Sequence, residues 1–273
     1  MSAIARPGFV PAERETASTP SAVTQLSILF GRLMAQLVRT PTTYINLMIA
    51  LFFLFVYTGA FGASQGFEQI IGAKFMTFIL PVSIVNAALA GSVAGQLLVS
   101  DLESGYLRRL FAMPISRTVI VLAPMLVGAV LVVAQAALVF GLGLLLGAGI
   151  AAGPVGAAGL LALSLLWGMA FAGYSVATGL LAGNAAAAQA ATFVFFPLTF
   201  LAPTFLPREQ LADWLQVAAA FNPTTYVIEG MRGLLITGID GASLLPAFLV
   251  IGALCVLTTA WAASVARRVT RRG

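Results

Sequence analysis

Histidine is absent from this 273-residue chain, and there is one cysteine, Cys255, and one lysine, Lys74. Without histidine there is no imidazole metal site and no histidine proton relay. One cysteine inside an apolar run supports neither an internal disulfide nor a thiolate cluster. Charge is scarce too, at 8% of residues, where a soluble domain carries about 25%. Asp, Glu, Lys and Arg are missing from every long apolar run: Thr43–Gly62, Phe75–Val99, Thr118–Gly147, Ala157–Leu181, Ala190–Leu206 and Leu244–Ala266. Ion- and proton-coupled carriers usually place ionisable groups inside their spans, so that machinery is missing. A membrane enzyme would need an acid–base constellation, and the runs offer none. A phosphate-cradling loop ends in Lys followed by Ser or Thr. Here the lysine is followed by Phe75, so the chain holds no nucleotide-driven engine of its own.

What is present is apolar surface, with 60% hydrophobic residues and a mean hydropathy of +1.01. The expected class is an all-α integral membrane protein. Residues 1–22, with Pro7, Pro11 and Pro20 and no signal-peptide core, read as a disordered cytoplasmic tail. Residues 23–273 read as a single transmembrane domain. Ser21 can cap a helix running to about Arg39, with Leu26, Leu29, Phe30, Leu33 and Leu37 on one side. Gln25, Arg32, Gln36 and Arg39 fall on the other, as in a helix lying in the membrane interface; the alternative is a charged lead-in to the first span.

Each apolar run is long enough for a bilayer core of about 30 Å, or nearly so, and six transmembrane helices are expected. The second should kink or break near Pro81 and carries Asn86. The fifth carries Pro197 and Pro203. Six spans put both termini on one side. That side then holds eleven of the fourteen basic residues, leaving only Lys74, Arg208 and Arg232 on the other. By the positive-inside rule both termini are cytoplasmic. The net charge of +5 and the final Arg267, Arg268, Arg271 and Arg272 therefore read as topology anchors, with no nucleic-acid partner. Gly91 with Gly95, Gly143 with Gly147 and Gly179 with Gly183 have the spacing that lets helices approach closely in lipid.

Between the fifth and sixth runs, Pro207–Phe221 reads as a short amphipathic helix with Leu211, Trp214, Leu215 and Ala218 on one side. Asn222 then caps a second helix, with Pro223 at its first position. That helix carries Tyr226 and sets Glu229 and Arg232 three residues apart, within pairing reach. Two helices this short are expected to form an external hairpin that lies on the bilayer or dips into it under protein cover; the alternative is an ordinary surface loop with helical turns.

The densest polar stretch is Ser100–Arg117. Its two acids and three arginines cannot sit in hydrocarbon, where each ion costs about 2.5–3.5 kcal/mol at mid-depth on insertion scales. It therefore lies at a membrane face, the cytoplasmic one in this topology. With no engine in the chain, transport is either passive or driven by another subunit through a cytoplasmic contact, for which this loop is the candidate.

Glu103-Ser104-Gly105-Tyr106-Leu107-Arg108-Arg109-Leu110-Phe111-Ala112-Met113-Pro114-Ile115-Ser116-Arg117 resembles the loop after the second span in type-2 ABC exporter permeases, the daunorubicin and multidrug-resistance branch above all. Tyr106 and Met113 stand where that family more often has Thr. Asn222-Pro223-Thr224-Thr225-Tyr226-Val227-Ile228-Glu229-Gly230-Met231-Arg232 resembles the segment before its last span. The resemblance implies a non-catalytic permease subunit of the bacterial plasma membrane. It would work with two copies of a soluble ATPase, which bind the ATP and magnesium, and with a second permease chain, same or different. It implies an ATPase-coupling loop of Asp101, Glu103, Gly105, Arg108, Arg109, Pro114, Ser116 and Arg117. The external hairpin, with Asn222, Pro223, Tyr226, Glu229 and Arg232, would gate the exit. The cargo suited to uncharged spans is a lipophilic drug, lipid or glycolipid. The competing readings are a passive carrier and a membrane assembly factor.

Overall fold

The computed structural model describes residues 20–61 and 65–272, and among these there are helices and turns but no strand. The chain is an all-α integral membrane protein. Most of the expected tail, residues 1–19, lies outside the described residues, as does the side chain of Arg108. In order come α1 (Ala22–Val38), α2 (Pro41–Phe61), α3 (Gln65–Ile71), α4 (Phe75–Asn86), α5 (Val93–Glu103), α6 (Tyr106–Ala112) and α7 (Arg117–Leu145). They are followed by α8 (Gly153–Ala182), α9 (Ala185–Thr192), α10 (Phe195–Phe200), α11 (Asp213–Phe221), α12 (Pro223–Arg232) and α13 (Gly241–Arg272). Among the described residues, five segments are long and apolar enough to cross a membrane: Thr43–Ala60, Phe75–Glu103, Arg117–Leu145, Gly153–Ala182 and Gly241–Val269.

The capping expectation holds. The Ser21 hydroxyl accepts the Thr24 amide at 3.2 Å and starts α1. Leu29, Leu33 and Leu37 then bury one stripe, and the helix packs along α7.

The second span is interrupted, but not at Pro81. Pro81 sits inside α4, whose residues are all buried, so packing holds the helix through the missing N–H. The interruption comes at Ala87–Ser92, which tightens to a 3-10 helix. Small residues there let the chain press onto α8. At Gly95 an added Cβ would stand 2.3 Å from the Ser175 carbonyl oxygen. The Ser175 hydroxyl donates to the Ser92 carbonyl at 2.8 Å. The glycine spacing noted in the sequence thus serves packing within the chain at this point.

The fifth expected span, Ala190–Leu206, is not one helix. It is divided between α9, which begins earlier under an Asn184 cap, the six-residue α10, and bends through 201–206. Pro203 can donate no backbone hydrogen bond, and the broken backbone frees carbonyls that side chains then take up. Tyr174 donates to Ala191, Asn222 to Leu198, Thr204 to Thr199, and Arg232 to Pro203 and Thr204.

Helix α12 packs on α4, α8 and α13, with Val227, Ile228 and Met231 fully buried. Gly159 of α8 faces Leu234, while Gly230 faces Leu163 of α8 and Ala247 of α13. Moving from Leu234 back to Gly230 therefore moves inward along α8. Asn222 lies eight residues earlier still, about 12 Å deeper at 1.5 Å per residue. The hairpin dips into the bundle with its turn at Asn222. Its first helix, α11, leaves Trp214, Val217 and Phe221 exposed.

The buried residues divide into two clusters. One gathers Phe75–Ala87, Val132–Phe140, Leu160–Phe171 and the α12 residues. The other gathers the α1 stripe, Val93–Leu98, Leu107, Leu110, Val119–Val127 and Ala172–Leu180. The two polar segments singled out in the sequence cap these clusters at opposite ends.

Candidate functional site

At the first end, α5 stops at Glu103 and the chain reverses through Gly105, whose φ of 73° is left-handed. A residue with a Cβ strains there, so the glycine permits the turn into α6. Helix α6 is amphipathic. Leu107 and Leu110 are 1% and 3% exposed and anchor it to the second cluster. Glu103, Ser104, Arg109, Met113, Pro114, Ser116 and Arg117 remain on the outside.

Asp101 does not share that surface. It is 5% exposed and takes a two-pronged bond from Arg32 of α1, Nη1 to Oδ2 at 2.7 Å and Nη2 to Oδ1 at 2.6 Å. The same guanidinium lies over the Tyr106 ring, 3.8 Å from its centroid. Its hydrogen bond to Asp101 outweighs desolvation and raises the Arg32 pKa. A second clasp comes from Gln25, whose Oε1 accepts the Ser116 amide at 3.1 Å. Helix α1 thus holds both ends of the loop. Removing one partner of such a pair leaves a buried charge uncompensated, which costs more than the pair itself contributes.

Sequence reasoning placed Arg32 and Gln25 on the solvent side of α1 and missed both contacts. A signal was available: Arg32 adjoins Leu33 and follows Leu29 by three residues, so it borders the buried stripe.

At the opposite end, Asn222 caps α12 as expected, accepting the Thr224 amide at 3.0 Å, with Pro223 next. The Tyr226 hydroxyl donates to the Ala220 carbonyl at 2.8 Å and closes the hairpin. Arg232 does not form an ion pair with Glu229. Its Nε donates to Phe78 at 3.0 Å, one terminal nitrogen to Thr204 at 2.8 Å and the other to Pro203, all backbone carbonyls. The guanidinium carbon stands 3.5 Å from the Phe78 ring centroid. Arg232 thereby ties α12 to α4 and to the broken 201–206 segment. Glu229 is half-buried outside the five spans. Burial raises its pKa, partly opposed by Arg208 and Arg232. It faces a cleft of about 510 Å³ with Arg208, Glu209, Asp240 and Ser243 on its walls.

A protein-family model described as ABC-2 type transporter matches residues 24–236, well over half of the chain, and includes both polar segments. The chain belongs to the ABC-2 type transporter family. Among similar proteins is "Putative transport permease ycf38" of Cyanophora paradoxa, 29% identical over 216 residues, covering 77% of this chain and 73% of that protein. The fold and the family together make this chain a transport permease subunit.

Proposed function

We propose that the chain is the membrane subunit of an ATP-driven exporter of the bacterial plasma membrane, powered by two copies of a separate soluble ATPase that bind the nucleotide and magnesium. A second permease chain, same or different, completes the path. The observation that carries this reading is the braced loop. An exposed mixed-charge face, with Glu103 and Arg109, is fixed to the bundle by Leu107 and Leu110. Through Arg32 and Asp101 it is also fixed to α1. A push on α6 then moves α1 and α5 with it, and α5 continues through the 3-10 segment into α4, where Arg232 holds the hairpin. The cargo that suits spans without fixed charge is a lipophilic drug, lipid or glycolipid.

The chain alone should hydrolyse no ATP and move nothing uphill in liposomes; both should appear when its cognate ATPase is added. Uphill transport by the chain alone overturns the reading. Orientation is tested separately, with single cysteines in a Cys255-replaced background. An impermeant reagent on intact cells should label Asp213→Cys and not Ser104→Cys, and the reverse pattern overturns cytoplasmic termini.

A further inference from the structure

The cleft at the hairpin end carries more charge than the hairpin needs for its own packing. Arg232 is consumed by three carbonyls. The Glu229 carboxylate, half-buried on the wall, makes no hydrogen bond and no ion pair within 4 Å among the described residues, and neither does the side chain of Arg208 on the rim. A half-buried carboxylate without a donor is costly and gains from any ammonium that reaches it. Arg208 offers the complementary cation for an anionic group beside it. The volume of about 510 Å³ falls among ligand sites of about 300–1,000 Å³. Two apolar surfaces adjoin the same rim. Helix α11, tied to it by Gln216 donating to the Glu209 carbonyl, exposes Trp214, Val217 and Phe221. Helix α13, whose first turn lines the cleft at Ser243, exposes Leu245 and Leu249.

A polar cleft with both signs of charge, edged by apolar helix faces, fits the head of a zwitterionic amphiphile. We propose that this cleft binds an aminophospholipid headgroup, with the primary ammonium on Glu229, the phosphate on Arg208 and the acyl chains along the exposed faces of α11 and α13. A choline head carries the same charges but no N–H donors, and a glycerol head carries no ammonium. The site therefore selects ethanolamine over both. This binding requires neither the ATPase nor any direction of transport, so it stands or falls apart from the exporter reading.

The test is native mass spectrometry of the purified full chain titrated with palmitoyl-oleoyl phosphatidylethanolamine, phosphatidylcholine or phosphatidylglycerol. The native chain should retain the ethanolamine lipid about tenfold more tightly than the others, the worth of one charge-assisted hydrogen bond. Glu229→Gln should abolish that preference, Arg208→Gln should weaken retention of all three lipids alike because each carries the phosphate, and Glu103→Gln, exposed at the opposite end, is the control that changes neither. Equal retention of the three lipids by the native chain overturns the proposal, as does an unchanged preference in Glu229→Gln or unweakened retention in Arg208→Gln. If Glu229→Gln fails to fold, the native selectivity and the loss of retention in the rim variant Arg208→Gln decide it.

Discussion

At one end of the bundle Arg32 meets a carboxylate; at the other, Arg232 meets only backbone carbonyls and a phenyl ring. The first arrangement is a contract between two side chains and could be rewritten by exchanging them. The second depends in part on the Pro203 and Thr204 carbonyls, which are free because the backbone around Pro203 is not helical. Arg32 is 34% exposed at its side chain, whereas Arg232 is 8% exposed as a residue. The loop end is therefore held by an ion pair that water can reach, and the hairpin end by a largely buried guanidinium among carbonyls.

The sharpest way to break this comparison is at Arg232. Arg232→Met takes the side-chain donor from the Pro203 and Thr204 carbonyls of the non-helical segment, at about 1–3 kcal/mol each. We expect a larger drop in detergent melting temperature from it than from any single substitution at the loop end. Arg232→Lys should recover only a minor part, because an ammonium cannot reproduce the planar fork. A variant that melts like the native chain would mean these bonds are not holding the hairpin.

Next comes Arg32. Arg32→Ala should cost about 1.5–3 kcal/mol, the worth of hydrogen bonds to a charged group. Asp101→Asn in the same chain should add less than it costs alone, since the pair is already broken. The exchanged pair, Arg32→Asp with Asp101→Arg, should restore part of the loss. Strict additivity in the double variant would mean that the two side chains do not act as a clasp.

A smaller, pH-dependent effect belongs to Glu229. Burial raises its pKa in the folded chain, so the native state holds that proton more tightly than the unfolded chain does. Its contribution to stability is present below the ordinary carboxylate pKa of about 4.3 and is lost as pH rises through the raised value. Glu229→Gln should flatten the fall in melting temperature between that range and neutrality. A melting profile identical to that of the native chain would show the carboxylate to be well solvated.

The smallest effect on stability, within about 0.5 kcal/mol, is expected for Glu103→Lys and Arg109→Glu, whose side chains are exposed; Arg108→Glu is tested with them for function. Their predicted effect is functional: loss of ATPase co-purification, of substrate efflux, or of both, with insertion intact. Normal co-purification and efflux in all three would mean that this face does not couple to an ATPase.

Much of this was legible from residues alone. The apolar runs, the Ser21 and Asn222 caps and the two polar segments follow from local rules: hydropathy over about 20 residues and capping oxygens. The family match spans the same two segments. Three things were decided only by tertiary contacts. Pro81 does not break its helix, because α4 is buried on every side, while Ala87–Ser92 tightens where it presses on α8. The apolar run around Pro197 and Pro203 is long enough in composition to span, yet it breaks, because Asn222, Tyr174 and Arg232 supply donors to its freed carbonyls. Arg32 and Asp101, 69 positions apart, meet because α1 packs across the loop, and Arg232 passes over the neighbouring Glu229 for carbonyls 28 or more positions away. Hydropathy and capping are sums over neighbours in the chain and can be read there. The partner of a buried charge is set by which groups the folded backbone leaves unsatisfied, and that exists only once the helices are packed.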